Sequence, residues 1–318
     1  MPSSPHFFCY LEGWNDVFYK NNANNPRELP LHLMLLPGVI ILIIYSYGPL
    51  LGLVMAFQKF NSVKGFLYSP WVGLDNFKLL LAMPGVLQVL WNTIYIAFLK
   101  IAGMIVVPVG FALLLNEITK TSFKRTIQTM IYLPNFMSWI ILGGIMIDLL
   151  SPRHGVVNQL LGNIGIKPIF FLGDTFWFPL TLVITDIWKG FGFGTVIYLA
   201  ALTSINPFLY EASYIDGASR MKQVIYITLP GILPIIILMT VLSLGNVLNA
   251  GFEQVFILYS PSVYDTGDII DTFVYRLGIE QAQFSLAAAV GLFKSVVSFI
   301  FISLSYFLAD KLANYRIF

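Results

Sequence analysis

The stretch YEASYIDGASRMKQVIYITLP, residues 210–230, separates two long apolar runs of the sequence. It contains two acidic and two basic side chains, a glycine, and a proline at its end. The whole chain is 57% hydrophobic and only 11% charged, whereas a soluble domain has about a quarter charged residues. The composition therefore predicts an integral membrane protein, in which this polar stretch must lie outside the lipid.

The same composition argues against several functions. A net charge of +2 is too small to hold nucleic acid or another polyanion by bulk charge. Cys9 is the single cysteine, and the three histidines stand apart from other metal ligands. The glycines of KGFGFGT, residues 189–195, do not have the spacing of a phosphate-binding loop. We therefore expect no metal, bound cofactor or catalytic residue in this chain.

Apolar runs of roughly 20 residues, the length that a helix needs to cross a bilayer, occur six times. Because the runs are continuous and do not alternate, they predict helices rather than strands. The predicted spans are Leu31–Phe57, Val86–Leu115, Ile127–Leu150, Phe176–Leu202, Gly231–Ala250 and Leu286–Leu308. The predicted fold class is an all-α polytopic membrane protein with six transmembrane helices. Residues 31–318 form the membrane domain, and residues 1–30 precede it.

The distribution of Lys and Arg indicates the orientation, because cytoplasmic loops carry an excess of these residues. With the N-terminus inside, nine of the 18 fall on the cytoplasmic side and six on the other side. We therefore expect both termini in the cytoplasm, with residues 1–30 as a cytoplasmic segment. The loop at residues 206–230 then also faces the cytoplasm.

The polar stretch is predicted to fold as two short helices joined by a turn. Residues 211–215 can form the first helix, and Asp216-Gly217 the turn, since glycine accepts positive φ without steric cost. Residues 218–226 are predicted to form a second amphipathic helix, and Pro230 to set the angle at which the fifth span enters the bilayer. An ordinary solvated loop is the alternative, and these residues alone do not decide between the two.

The segment EASYIDGASRMKQVIYITLP resembles the EAA loop of permease subunits from binding-protein-dependent ABC importers. The family pattern is Glu-Ala-Ala, three residues, Gly, nine residues, Ile, any residue, and Leu-Pro. It is matched by Glu211, Ala212, Gly217, Ile227, Leu229 and Pro230, while Ser213 replaces the second alanine. The resemblance implies a coupling helix that docks in a groove of a cytoplasmic ATPase, through Glu211, Ala212, Asp216, Gly217 and Ala218. Glu211 would meet a basic residue there, and Gly217 would permit the turn.

Other segments resemble the carbohydrate-uptake branch of that family, namely YSYGPLLGLVMAFQKFN, GFLYSPWVGLDNF, ALLLNE and QTMIYLPNFMSWI. The similarity spans residues 30–318 and is to permeases for oligosaccharides or polysaccharide fragments, including alginate-type importers. It implies the type I ABC importer permease fold in a bacterial inner membrane. The implied partners are a second, homologous permease subunit, two ATPase subunits that hold ATP and Mg²⁺, and an extracytoplasmic solute-binding protein. The chain itself would contact a carbohydrate, neutral or acidic, and membrane lipid, and would have no ATPase site of its own.

Polar and aromatic residues inside the predicted spans are the candidates for a substrate pathway. A sugar site combines flat apolar surfaces with convergent hydrogen-bonding groups, and the resemblance places the sugar near the bilayer midplane. The candidates are Asn135, Trp139, Trp188, Tyr198, Ser243, Asn246 and Asn249. Packing within the bundle is the alternative role for the aromatic ones. Asp186 and Lys189 are expected to pair along one helix face, and the carboxylates after the fifth span to lie on a solvated face, among them Asp265, Asp268 and Asp271.

Two other functions stay open from the residues alone. An ion-coupled secondary carrier needs an internal repeat and an ion site in broken helices, for which the sequence offers only Asp186. A membrane enzyme such as a lipid-linked glycosyltransferase needs clustered carboxylates, and Asp265, Asp268 and Asp271 come nearest to this. The leading hypothesis is one membrane-spanning half of an ATP-driven sugar importer, with an ion-coupled sugar carrier as its alternative.

Overall fold

The structure, a computed structural model, describes residues 29–313. The predicted cytoplasmic segment, residues 1–30, lies outside this range except for its last two positions. Within the described residues, the only extended pairing is a single bridge between Gln58 and Trp71, and the rest of the regular structure is helical. The predicted all-α class is confirmed.

The helices carry the following bounds. They are α1 (Leu29–Leu42), α2 (Gly65–Tyr68), α3 (Asp75–Ala82), α4 (Val86–Glu117), α5 (Thr121–Tyr132), α6 (Trp139–Leu149), α7 (Val156–Asn163), α8 (Trp177–Thr203), α9 (Pro207–Ile215), α10 (Arg220–Leu244), α11 (Phe252–Leu258), α12 (Tyr264–Gly267), α13 (Ile270–Tyr275) and α14 (Phe284–Ala313). Helix α1 continues as a π-helical turn and a 3-10 segment to Phe57.

Five helices in the described part of the chain are long and apolar enough to cross a membrane: His32–Phe57, Val86–Glu117, Trp177–Thr203, Arg220–Leu244 and Phe284–Phe307. A sixth crossing results if the bent pair formed by α5 and α6 is one span. Most of the first span, up to Leu53, belongs to a separate unit of the chain. The predicted first, second, fourth and sixth spans match these helices to within two residues at each end.

The predicted third span, Ile127–Leu150, is a bent pair of helices rather than one straight helix. The chain runs as a helix from Thr121 to Phe136, breaks, and starts again at Trp139 with a bend of 104°. Two residues explain the break. Pro134 supplies no N–H to the turn that ends the first half, and Ser138 caps the second half by accepting a hydrogen bond from the Ile141 amide at 3.4 Å.

The fifth span also differs from its prediction, Gly231–Ala250. Helix α10 begins at Arg220, passes through a π-helical turn at Val224–Thr228, and ends at Leu244. The predicted separate helix at residues 218–226 is therefore the beginning of the fifth span. Pro230 lies in a position that tolerates proline, near the start of the α-helical part of α10 that follows the π-helical turn. Residues 245–251 turn the chain away before α11 begins.

Helices α4 and α8 pack closely along their length because glycines line their interface. A Cβ on Gly103 would lie 2.1 Å from the Ile187 side chain, and one on Gly194 would lie 3.1 Å from the ring of Pro108. Small residues let helix backbones approach closely in a membrane, where dispersion contacts replace the hydrophobic effect. Several other helices of residues 54–313, among them α5 and α10, pack against this pair.

Candidate functional site

The coupling segment, defined as residues 206–228, joins α8 to α10. Asn206 caps α9 by accepting a hydrogen bond from the Phe208 amide at 3.0 Å, and Pro207 occupies the first helical position. The helix ends at Ile215, and Gly217 then has φ of +73°. This left-handed conformation is strained for residues other than glycine. Gly217 therefore allows the chain to turn from α9 into α10.

The inner face of α9 is hydrogen-bonded to α10. The Tyr210 hydroxyl lies 2.9 Å from the Thr228 hydroxyl, and the Gln223 side-chain amide donates to Ser213 Oγ at 2.9 Å. Gln223 and Thr228 are buried. Ser213, the one departure from the EAA pattern, thus gives Gln223 its acceptor. These bonds make α9 and the start of α10 one rigid element.

The outer face of the coupling segment is exposed. Glu211, Ala212, Asp216 and Gly217 are accessible and Ala218 is half-buried. Large apolar side chains lie beside them on the surface, with exposed fractions of 72% for Phe208 and 84% for Ile215 in a group completed by Leu209, Tyr214 and Met221. An exposed apolar patch with a carboxylate at its edge has the composition of a protein–protein contact.

A narrow cleft separates the coupling segment from the end of α4. It encloses about 230 Å³, and its walls include Asn116, Glu117, Tyr210 and Gln223. Arg220 and Glu117 face each other across it at 3.9 Å, and both are well exposed. A pair of this kind adds little stability because water screens it. The cleft is therefore a gap that can change width at small cost in free energy.

A second cavity, of about 400 Å³, lies between α4, α8 and the end of α10. Three predicted pathway residues, Ser243, Asn246 and Asn249, line it together with Lys100 and Asp186. Asn249 donates to Asn246 Oδ1 at 3.3 Å and accepts from the Lys294 ammonium at 3.0 Å. The structure thus brings hydroxyl, amide and carboxylate groups together on one apolar-walled cavity, which is the chemistry that a polyhydroxylated ligand requires.

Lys100 closes the wall of this cavity. Its buried ammonium donates to the Ala250 carbonyl at 2.7 Å and to Gln254 Oε1, and lies 3.7 Å from the Asp186 carboxylate. The predicted pair between Asp186 and Lys189 is therefore wrong, because Asp186 turns toward α4. A charge inside a span is costly unless it is paired with an opposite charge. Lys100 and Asp186 form such a pair.

Gln254 extends the Lys100 contacts to α8. Its side-chain nitrogen donates to the Leu182 carbonyl at 2.8 Å and to the Thr185 hydroxyl at 2.7 Å. Gly251, with φ of +92°, brings the backbone so close that a Cβ there would lie 2.9 Å from the Lys100 nitrogen. We call the set of Lys100, Asp186, Ala250 and Gln254 the lysine junction. It ties α4, α8 and the turn after α10 together.

The remaining predicted pathway residues lie outside the described cavity. The buried ring of Trp139 begins α6 and lies 5.4 Å from the Lys189 ammonium, while Asn135 stands just before the same bend. Trp188 is 41% exposed on α8. Tyr198 is buried in an apolar cluster with Ala112, Leu202 and Ile232. The structure therefore supplies a packing role for Tyr198.

The segment between α10 and α14 contains ion pairs that the sequence did not reveal. Asp268 is 2% exposed, accepts from the Thr272 hydroxyl at 2.7 Å, and pairs with Arg276. Asp271 pairs with Lys294 at 2.5 Å. The expectation of a solvated carboxylate face is wrong for these two residues, because each acidic side chain joins this segment to a cation.

Two groups of this segment have shifted pKa values. Burial lowers the pKa of Arg276, but the hydrogen bond and charge of Asp268 outweigh it, so the net shift is upward. Burial, with the neighbouring Tyr264, raises the pKa of Tyr259 to about 12. Both pKa shifts favour the forms present at neutral pH, a guanidinium for Arg276 and a neutral phenol for Tyr259.

Comparison with known proteins identifies the family. Residues 104–314 match the model of the binding-protein-dependent transport system inner membrane component. The chain is 40% identical over 91% of its length to the polygalacturonan/rhamnogalacturonan transport system permease protein YteP of Bacillus subtilis (strain 168), covering 90% of that protein. It is also 40% identical to protein LplB of the same organism, with 90% of each chain covered.

A solved structure agrees with this assignment. A chain of a bacterial ABC transporter involved in the import of the acidic polysaccharide alginate superposes with a TM-score of 0.83 at 36% identity, covering 94% of this chain and 99% of that one. A chain of a bacterial alginate ABC transporter in complex with an alginate pentasaccharide-bound periplasmic protein gives a TM-score of 0.81 at 36% identity, with 90% of this chain and 96% of that one covered. The predicted type I permease fold and the predicted resemblance are confirmed. The chain therefore belongs to the family of binding-protein-dependent transport system inner membrane components, the permease subunits of ABC importers, and is a multi-pass inner membrane protein.

Proposed function

We propose that this chain is one membrane-spanning half of an ATP-driven importer for an oligosaccharide or polysaccharide fragment. The coupling segment carries this proposal, because its outer face combines the EAA residues with an exposed apolar patch. Its partners are a second, homologous permease subunit, two ATPase subunits that bind ATP and Mg²⁺, and an extracytoplasmic solute-binding protein. This chain supplies no ATPase site of its own.

The orientation follows from the docking surface. The ATPases are cytoplasmic, so residues 206–230 and both termini face the cytoplasm, with residues 1–30 as a cytoplasmic segment and residues 31–318 as the membrane domain. The segment between α10 and α14 faces the outside, because α10 runs away from the coupling segment and α14 returns. The binding protein then delivers its ligand from the side opposite to the ATPases.

The coupling residues act as a docking surface. Glu211 and Asp216 are exposed carboxylates that we pair with basic groups of an ATPase, and Ala212 and Ala218 keep the surface close to the partner backbone. Gly217 holds the turn that presents them. When ATP closes the ATPase dimer, α9 is displaced, and its hydrogen bonds to Gln223 and Thr228 transmit the displacement to α10. ATP acts by favouring one of two permease conformations.

Substrate contact is proposed for the cavity at the lysine junction. Ser243, Asn246 and Asn249 offer donors and acceptors to sugar hydroxyls in this cavity, and Trp188 offers an accessible ring outside it. Asn135 and Trp139 stand at the α5–α6 bend, where they join the pathway if that bend opens. Lys100 and Asp186 largely neutralise each other, so the cavity walls exclude neither neutral nor acidic sugars. The description of one similar transporter as an importer of an acidic polysaccharide favours acidic fragments.

Two substitutions at the coupling segment test this function. Glu211→Lys reverses a charge at the docking surface, where losing a charge pair costs about 2–5 kcal/mol. Gly217→Val strains the left-handed turn, whereas Gly217→Asn is the matched control, since asparagine tolerates this conformation. We expect the Lys and Val variants to insert normally, to lose the ATPase on co-purification, and to stop ATP-dependent uptake. Normal attachment and uptake in both would overturn the proposal.

The ion-coupled carrier is distinguished by its energy source. In proteoliposomes that contain the complete transporter, uptake should require ATP hydrolysis and the liganded binding protein. Dissipating the proton and sodium gradients should leave the initial rate unchanged. Uptake that persists on an ion gradient with the ATPase subunits absent would establish the carrier instead.

A further inference from the structure

Five aromatic side chains form a continuous surface on the segment between α10 and α14. Phe252 and Phe256 are four residues apart and share one face of α11, and Tyr259 directly follows the end of this helix. Tyr264 of α12 and Tyr275 of α13 lie beside this face. We call these five residues the aromatic stripe.

The rings of the stripe touch in sequence. Phe252 and Phe256 are stacked, with centroids 5.3 Å apart and an angle of 23° between planes. Phe256 lies 4.7 Å from Tyr275 and 6.0 Å from Tyr259, which in turn lies 5.2 Å from Tyr264. Four rings therefore form a connected file from Tyr264 to Phe252, and Tyr275 packs beside Phe252 and Phe256.

Helix α11 buries one face and leaves the stripe accessible. On the buried face, Gln254 and Val255 are fully inaccessible and Leu258 is nearly so. All five aromatic residues of the stripe are only half-buried. Aromatic side chains that served only to fill the core would lie with the residues of the buried face. The stripe is instead a surface that combines two phenylalanine rings with three tyrosine rings.

The stripe leads to the cavity. Phe252 directly follows Gly251, which lines the cavity at the lysine junction. At the other end, the Arg276 guanidinium lies over the Tyr264 ring at 4.4 Å while Asp268 holds it. This anchoring fixes Tyr264 in place. The file of rings therefore runs from this anchored end to Phe252, the residue that follows the cavity-lining Gly251.

We propose that the aromatic stripe binds the pyranose rings of the saccharide and guides them into the cavity. Sugar rings have apolar C–H faces that stack on aromatic rings, and their equatorial hydroxyls reach tyrosine hydroxyls. Successive rings of similar chemistry hold successive sugar units with similar, modest free energy, so a chain moves along the stripe without a deep trap. This inference rests on the proposed carbohydrate import and adds a binding surface to it.

The decisive experiment uses the complete transporter in proteoliposomes with its binding protein and a labelled oligosaccharide. Phe256→Leu and, separately, Tyr275→Leu remove a ring but keep apolar volume. Each should lower the uptake rate at limiting substrate by about threefold to tenfold, the value of one aromatic contact. Phe256→Tyr keeps an aromatic ring at this position and should therefore keep the uptake rate of the unmodified transporter. The matched control is Phe299→Leu, which removes a 71%-exposed ring from α14 and should leave uptake unchanged.

Two further readouts separate the sugar from a protein partner. If the stripe binds sugar, both Leu variants keep the second permease subunit on co-purification, and their ATPase activity is still stimulated by the liganded binding protein. Loss of the second subunit, or unchanged uptake in both variants, overturns the proposal. Absence of ATP-dependent sugar uptake in the unmodified transporter would instead refute the proposed function itself, so the two failures are distinguishable.

Discussion

Replacing Lys100 by methionine tests the lysine junction directly. Methionine is unbranched and of similar length, so packing between α4 and the turn after α10 is retained. The substitution removes the donor to the Ala250 carbonyl at 2.7 Å and to Gln254 Oε1. It also leaves Asp186 without the cation that lies 3.7 Å away.

The expected loss of stability follows from these contacts. Breaking a buried ion pair by removing one partner costs about 3–5 kcal/mol. The Asp186 side chain is 29% exposed, so water in the cavity solvates it partly and the lower value, about 3 kcal/mol, applies. The double variant Lys100→Met/Asp186→Asn removes both charges and leaves only unpaired neutral acceptors, which cost about 1–2 kcal/mol. The double variant should therefore be more stable than the single one.

Thermal unfolding of the detergent-solubilised transporter measures this order. The matched control is Lys78→Met, because Lys78 pairs with Asp75 at 2.9 Å on the exposed surface and such pairs contribute about 0–1 kcal/mol. We expect melting temperatures to fall in the order control, double variant, Lys100→Met. The described contacts of the lysine junction would be refuted if Lys100→Met had the same melting temperature as the control. They would also be refuted if its melting temperature were higher than that of the double variant.

Three further predictions concern other contacts. Ser213→Ala removes the acceptor of the buried Gln223 amide, so we expect the free energy of unfolding to fall by about 1 kcal/mol. We also expect the transporter to consume more ATP per sugar imported. An unchanged ratio of ATP to sugar would contradict the coupling role. Gly192→Ala places a Cβ 2.0 Å from a backbone carbonyl of α5, so its melting temperature should fall, while Gly144→Ala, with open space around it, should not; equal values would contradict the packing. The pKa of Tyr259 is raised to about 12, so the unfolded chain loses this proton from pH 10 while the folded one keeps it. The free energy of unfolding should therefore fall as the pH rises from 10 to 12, and it should fall less steeply in Tyr259→Phe. Identical pH dependences of the two proteins would contradict the raised pKa of Tyr259.

The elements that the sequence predicted correctly depend on local information. A bilayer requires each span to satisfy its own backbone hydrogen bonds, so a continuous apolar run of sufficient length predicts a helix with accurate ends, as at Val86 and Phe57. The turn at Gly217 is equally local, because the need for positive φ is a property of that residue and its neighbours.

The break in the third span had a local signal that hydropathy hid. Pro134 and Ser138 are a helix terminator and a helix cap, yet the run around them stays apolar. A window that averages hydropathy over 20 residues does not detect a bend between two apolar helices. The signal was the order of the residue types, proline followed by a capping serine.

The lysine junction had no local signal at all. Lys100 and Ala250 are 150 residues apart in the chain, and their contact depends on where α4 and the turn after α10 meet. The spacing of Asp186 and Lys189 favoured a pair on one helix. It failed because a closer partner came from another helix and because the Trp139 ring took the place of a counter-ion for Lys189. Pairing rules within a helix hold only when no neighbouring helix competes.

The position of α10 explains how a small movement at one end of the molecule reaches the other. Its first turns are bonded to α9 through Gln223 and Thr228, and the turn that follows its last residue is bonded to Lys100 through Ala250. Between these anchors, α10 contains the π-helical turn at Val224–Thr228 and, further along, Pro234. Helices bend at such points, so under the proposed mechanism a displacement of the coupling segment appears as bending there together with tilt about the lysine junction. The cavity wall formed by Ser243 lies near the lysine junction, whereas the cleft between Arg220 and Glu117 lies at the other end of α10. The pairing across that cleft is exposed and therefore weak, so under the proposed mechanism it does not hold the permease in one conformation.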